Sequence, residues 1–270
     1  MSVSFIKLSA TGNDFVVIDH RQQRLSERRL PEFAREVCRP HTGVGADGVI
    51  LLEWDEESDY RMRHYNPDGS RAEMCGNGAR ALAWLAHGRD LWQEEGTFRA
   101  DDGLHSVAQG ERGIGVSLTV GEEPVRVQLS DGTPGWRVNT GVPHVVLESR
   151  DVEGTEVHRL GRQYRNDPVF GEAGANVDFI EQRGRHLRVR TYERGVESET
   201  LSCGTGALAS ALIAREVYNL AFPLVLETNG GNLQITGEDS VWMLWGKVEE
   251  IYSGEMKLGG RIYQYFEQEN

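Results

Sequence analysis

The chain has 270 residues, 39% of them hydrophobic, and its 42 acidic against 29 basic residues leave a formal net charge of −13. Nucleic acid and anionic membrane surfaces are therefore disfavoured as partners, because no Lys/Arg-rich run offsets the negative balance. No stretch approaches the roughly 20 apolar residues of a membrane span, no basic-then-apolar leader opens the chain, and three cysteines without CxxC or zinc-like spacing suit reduced thiols, so a cytoplasmic location is expected.

In chain order, Phe15-Val16-Val17-Ile18 reads as a strand, Glu32 to Cys38 as a short amphipathic helix, and Val49-Ile50-Leu51-Leu52 as a second strand. Cys38 lies on that helix and reads as a core residue. Met74-Cys75-Gly76-Asn77-Gly78-Ala79 then leads into Ala79–Ala86, a run of helix formers that is apolar nearly all round and so expected to be buried on every side. Strands follow at Gly115–Val120, Val125–Leu129 and His186–Arg190. Ser202-Cys203-Gly204-Thr205-Gly206-Ala207 opens a second apolar helix at Ala207–Ala214.

Cys75 and Cys203 thus share the pattern Cys-Gly-X-Gly-Ala and lie 128 residues apart. Sliding the sequence against itself by 127 to 129 residues also aligns Gly12 with Gly141, Val16-Val17 with Val145-Val146, Ala46 with Ala175 and Tyr65 with Tyr192. A period this long is no solenoid repeat and implies two similar lobes. The expected fold is α+β: two pseudo-symmetric lobes, each a mixed sheet or barrel wrapped around a central buried helix with the cysteine at its start. The first lobe spans 1–122, the second begins at 123 after a break near Glu122-Glu123-Pro124, and residues 259–270 form a tail.

A helix start offers free N–H groups and partial positive charge, which lower a thiol's pKa and bind carboxylates. The glycines at 76, 78, 204 and 206 are read as letting backbone approach a ligand, with Gly76, Asn77, Gly204 and Thr205 holding an α-carboxylate. Two matched thiols, one per half, suit removal of a proton from one face of a carbon and delivery to the other, which is racemase or epimerase chemistry. Pyridoxal phosphate is not expected, since Lys7, Lys247 and Lys257 all lie near the chain ends, outside any glycine-rich phosphate loop. No histidine spacing suggests a metal.

The chain resembles the diaminopimelate epimerase family over about Val3 to Leu258. The matching stretches are Gly12-Asn13-Asp14-Phe15, Gly43–Gly48, Tyr65–Ser70, Ala72–Arg80, Asn176-Val177-Asp178-Phe179, Tyr192–Gly195 and Glu199–Gly206. The resemblance implies cofactor-independent interconversion of L,L- and meso-diaminopimelate, serving lysine and peptidoglycan precursor synthesis, with Cys75 and Cys203 as alternating base and acid. It further implies a homodimer, a small amino-acid substrate, and a C-terminal strand at 247–258 returning to the first lobe, which leaves 123–246 as the second.

Asn13, Asn66, Asn176, Glu193 and Arg194 are carried over as contacts to the distal amino-acid group, and His144 and Glu193 as residues that tune the thiols. One departure stands out: Val142 occupies the place where the family commonly has Asn in Gly-Asn-Pro-His. The competing expectation is a racemase of another amino acid on the same fold, of histidine or proline type. The usual proline-type flanks, Cys-Gly-His-Gly and Ser-Pro-Cys-Gly-Thr-Gly, are absent.

Overall fold

The computed structural model describes residues 2–22, 25–238 and 241–257; the expected tail at 259–270 and the last residue of the expected returning strand lie outside them. The fold is α+β, and the chain divides into two compact units, one taking residues up to Val116 and again from Val248, the other Ser117–Lys247. The division falls inside a strand, ahead of Glu122–Pro124. That acidic, proline-containing stretch forms a strand of its own, with Pro124 at a register irregularity where a missing N–H is tolerated.

The first unit runs β1 (Val3–Ala10), β2 (Asn13–Asp19), α1 (Leu30–Cys38), β3 (Gly48–Glu53), β4 (Tyr60–Tyr65), β5 (Arg71–Ala72), α2 (Gly76–His87), β6 (Glu95–Ala100), β7 (Gly103–Gly110) and β8 (Gly113–Leu118). The second runs β9 (Glu122–Gln128), β10 (Pro134–Asn139), β11 (Pro143–Glu148), α3 (Val157–Arg165), β12 (Asn176–Arg183), β13 (His186–Glu193), β14 (Ser198–Thr200), α4 (Gly204–Tyr218), β15 (Leu224–Thr228), β16 (Gly231–Glu238) and β17 (Val241–Gly246). Finally β18 (Val248–Met256) pairs antiparallel with β1 in the first unit.

Both units use one pairing scheme. The ladders β1–β2, β3–β4, β4–β5, β6–β7 and β7–β8 are antiparallel, while β2–β3 and β4–β6 are parallel. The second unit repeats this as β10–β11, β12–β13, β13–β14, β15–β16 and β16–β17 antiparallel, with β11–β12 and β13–β15 parallel. A parallel neighbour requires a crossover, and helices supply it at each such joint: α1 and α2 in one unit, α3 and α4 in the other. β9 pairs antiparallel with β10 as β18 does with β1.

Local chemistry explains the elements. Thr11 and Gly12, at φ 57° and 84°, form the two-residue hairpin joining β1 to β2, where both central residues need positive φ. Pro31 helps open α1, so the helix begins at Leu30 rather than Glu32. Its stripe of Leu30, Phe33, Ala34, Val37 and Cys38 packs on Val16, Ile18, Val49 and Leu51 from one face of the sheet. In the second unit Val157 and Tyr164 of α3 pack among Val145, Leu147, Val177, Phe179 and Tyr192.

The other sheet face receives α2 or α4. Almost every residue of α2 is buried and α4 is buried from Gly204 to Ala214 apart from Thr205, because runs of alanine present little bulk on any side and let the sheet wrap closely. Each of these helices begins immediately after a cysteine.

Candidate functional site

Cys75 and Cys203 are the N-cap residues of α2 and α4. Their backbones are nearly the same, φ −133° and ψ 116° against φ −122° and ψ 119°, in the extended region that N-caps adopt. The surroundings that the two units give them differ.

In the first unit Cys75 Sγ lies 4.0 Å from Asn13 Oδ1, and Asn77 Nδ2 donates to the same oxygen at 3.5 Å. Asn13 is fixed from behind, its Nδ2 donating to Asp47 Oδ2 at 2.6 Å. Arg80, one turn into α2 and wholly buried, donates to Asn77 Oδ1 at 2.6 Å and to Thr11 Oγ1 at 3.1 Å. Burial lowers the Arg80 guanidinium to about 10, and the neighbouring Cys75, in its charged form, pulls it back up. Asn66 caps the end of β4, its Nδ2 donating to Ser70 Oγ at 3.0 Å.

In the second unit Cys203 Sγ accepts from Gly206 N at 3.4 Å and lies 3.4 Å from Thr205 Oγ1. Thr205 Oγ1 is 3.0 Å from His144 Nε2, and His144 Nδ1 is 2.7 Å from Asp178 Oδ2, both residues being fully buried. Asp178 Oδ1 accepts from Thr191 Oγ1 at 2.7 Å. Arg194 N donates to Asn176 Oδ1 at 2.8 Å, which turns the Asn176 Nδ2 toward His144 Nε2 at 3.3 Å. Nε2 is therefore an acceptor, and Nδ1 carries the proton that Asp178 receives.

Glu193 accepts from Thr200 Oγ1 at 2.5 Å and hydrogen-bonds Cys203. Burial pushes its carboxyl up, as it does the Cys203 thiol, which rises well above the usual thiol value with further push from Glu193 and Asp178; Thr205 and Gly206 N–H work the other way. Cys38, by contrast, is buried in the apolar cluster under α1, where burial raises its thiol to about 12.

The structure thus gathers Asn13 and Asn77 around Cys75, and Thr205, His144, Asn176, Glu193 and Arg194 around Cys203. His144 reaches its thiol through Thr205 rather than directly. Two of the glycines expected to admit a ligand admit protein instead: a Cβ on Gly78 would stand 2.7 Å from Ile50 Cδ1, and one on Gly206 2.5 Å from Asp178 Oδ1. The buried ion-and-hydroxyl partners Arg80, Thr11 and Asp178 were not singled out from sequence. Arg80 and Asp178 do lie inside quoted motifs, and the signal that could have found them is a charge at a position that the patterning makes core. Val142 is half-buried in the β10–β11 loop, its carbonyl accepting from Thr140 N at 3.2 Å.

The family model for diaminopimelate epimerase matches residues 5–127 and 136–250. A diaminopimelate epimerase of Aquifex aeolicus is 43% identical over 97% of this chain and 100% of its own length, and one from Methanocella arvoryzae is 35% identical over 95% and 97%. Among solved structures, a phenazine biosynthesis protein of the PhzF family from Bacillus anthracis superposes with a TM-score of 0.73 at 16% identity, covering 96% of this chain and 100% of that one. A hydroxyproline epimerase from Agrobacterium vitis gives 0.68 at 14% identity, covering 95% and 93%. At such identities the last two bear on the fold alone.

Proposed function

Because this chain belongs to the diaminopimelate epimerase family, we propose that it interconverts L,L- and meso-diaminopimelate, with Cys75 and Cys203 as the base and acid that act on opposite faces of one α-carbon. The observation that carries this reading is the pair of cysteine N-caps, one per unit, on helices of the same topological position. A thiolate removes the α-proton and a thiol delivers its own to the other face, so the two sulfurs exchange protonation states in each turnover. The first turns of α2 and α4, at Gly76-Asn77 and Gly204-Thr205, suit the α-carboxylate and the charge that gathers on it as the proton leaves.

Asn13, Asn66, Asn176, Glu193 and Arg194 are assigned to the distal amino and carboxyl groups. Carboxamide and carboxylate oxygens accept from an ammonium, and an arginine pairs a carboxylate in two places, so a ligand lacking those groups leaves buried polar atoms unmet. His144 and Glu193 tune the thiols. The enzyme acts in lysine and peptidoglycan precursor synthesis, in the cytoplasm, as a homodimer and without a cofactor.

Proton NMR of the reduced protein with L,L-diaminopimelate in heavy water tests the reading. Deuterium enters one α-position as the meso isomer forms, and Cys75→Ala and Cys203→Ala each abolish this. Val142 favours a second reading, another amino acid as substrate: if diaminopimelate does not exchange but a different amino acid does, the two-thiol chemistry stands and the substrate is wrong.

A further inference from the structure

Arg80 is wholly buried, and burying a guanidinium costs free energy that its contacts must offset. Those contacts reach two elements. Nη2 donates to Asn77 Oδ1 at 2.6 Å on the same helix, and both Nη1 and Nη2 donate to Thr11 Oγ1 at 3.1 Å in the β1–β2 hairpin. Thr11 offers that hydroxyl at φ 57°, a conformation in which a β-branched residue is strained. Asn13, the first residue of β2, follows two positions later.

From Asn77 the hydrogen bonds run on in one direction. Asn77 Nδ2 donates to Asn13 Oδ1 at 3.5 Å, and Asn13 Nδ2 donates to Asp47 Oδ2 at 2.6 Å. Asp47 is held in turn by Asp14, whose N donates to the same Oδ2 at 3.1 Å and whose Oδ1 accepts from Asp47 N at 2.9 Å. A guanidinium can only donate and a carboxylate can only accept. With one at each end, the two carboxamides between them have a single arrangement in which every contact joins a donor to an acceptor. That arrangement turns the oxygen of Asn13 toward Cys75, whose Sγ lies 4.0 Å from it.

We propose that Arg80 is a positioning residue: from the end opposite Asp47 it fixes which way Asn77 and Asn13 face, and so gives Cys75 a carboxamide oxygen for a neighbour rather than an NH2 group. The proposal rests on the reading of Cys75 as an acid and base. An NH2 group beside the sulfur would donate to the thiolate and make it a weaker base, whereas the oxygen donates nothing and accepts from the thiol. The second unit supplies the comparison. Counting from Gly12 and Gly141 and from the two cysteines, Val142 stands at the place of Asn13, Thr205 at that of Asn77 and Leu208 at that of Arg80. There Thr140, the counterpart of Thr11, reaches α4 unaided, its Oγ1 donating to Thr205 O at 2.9 Å, and Leu208 is fully buried. A hairpin tied to the start of the helix is thus built without an arginine. What Arg80 adds in the first unit is the direction of the two carboxamides.

A double-mutant cycle on the full chain tests this, read as kcat/KM for diaminopimelate epimerisation. Arg80→Met removes the donors at similar length and is expected to lower kcat/KM about tenfold or more. In an Asn77→Ala background, where no carboxamide at that position is left to orient, the same change is expected to cost no more than about threefold. An equal loss in both backgrounds, as a general packing role would give, overturns the proposal. If Arg80→Met does not fold, Arg80→Gln, whose amide can meet Asn77 with either end, takes its place in the cycle. Heteronuclear NMR of the side-chain NH2 groups, assigned by substituting each asparagine, needs no turnover. Loss of the Arg80 donors is expected to speed solvent exchange at Asn77 Nδ2 about tenfold, with Asn232 in the second unit unchanged. An Asn77 signal that does not respond overturns the proposal. Failure of the epimerase reading alone shows differently, as an absence of turnover in the wild type with the amide response intact.

Discussion

His64 stands among buried apolar neighbours, edge-on to Phe15 at 5.8 Å, and neither of its ring nitrogens meets a hydrogen-bond partner among the described residues. Burial alone lowers it from 6.5 to about 4, so it folds neutral. The unfolded chain binds a proton at this histidine that the folded one refuses between those values. Stability from this group is therefore complete above pH 6.5 and lost as pH falls toward 4, by about 3 kcal/mol in all. Denaturant titrations at pH 7 and pH 5 should show a loss of about 2 kcal/mol in the wild type beyond that of His64→Leu, and parallel curves would refute it. The cysteines were legible at this scale because their motif occurs twice. Asp178 was not, because a single aspartate in Asn-Val-Asp-Phe carries no signal until the strand register sets it against Gly206 and His144.

Among the elements, α3 was missed, and its composition explains why: its core-facing residues are few, and one of them is Gly161. The glycine is there for contact. A Cβ would lie 2.5 Å from Tyr192 Cγ and only 2.4 Å from its Cβ, an atom that no side-chain rotation can move aside. Helix propensity favours alanine over glycine by about 1 kcal/mol, while overpacking of this kind costs about 1–3 kcal/mol, so the clash decides the sign. Gly161→Ala should lower the denaturation midpoint. Gly88, at the C-cap of α2 with φ −65°, is the control: a Cβ there meets nothing nearer than 3.5 Å, and Gly88→Ala should leave the midpoint unchanged or raise it. A lowered midpoint at both positions would show that the packing argument is wrong. By contrast, α2 and α4 were readable from alanine runs, β2 and β3 from continuous β-branched and aliphatic stretches, and β13 from Leu187 and Val189 alternating with arginines, because there pattern and packing agree.

At the scale of the whole molecule, the duplication explains why a strand from the end of the chain belongs to the first unit. Each pairing scheme needs a strand that runs antiparallel to its opening strand: β9 precedes β10 directly, whereas β1 has only β18. The internal duplication could show that the halves match but not that the match is out of phase with the chain, since one strand of nine residues with no motif carries that information; the returning strand was expected from the family resemblance alone. Val3 faces Met256 in the β1–β18 register, so the strand's end lies beside the chain's beginning. A circular permutant that begins at Val248, continues through the original C-terminal residues and a short linker into Met1, and ends at Lys247 would make each unit continuous. It should fold with a thermal midpoint within a few degrees of the parent. Simple truncation after Lys247 leaves β1 with an open edge that carries Val3 and Phe5, and should aggregate instead. A soluble, fully folded truncation would mean that β18 is dispensable to the first unit; a permutant that fails while the parent folds would mean that the order in which the strands are made matters as much as where they pair.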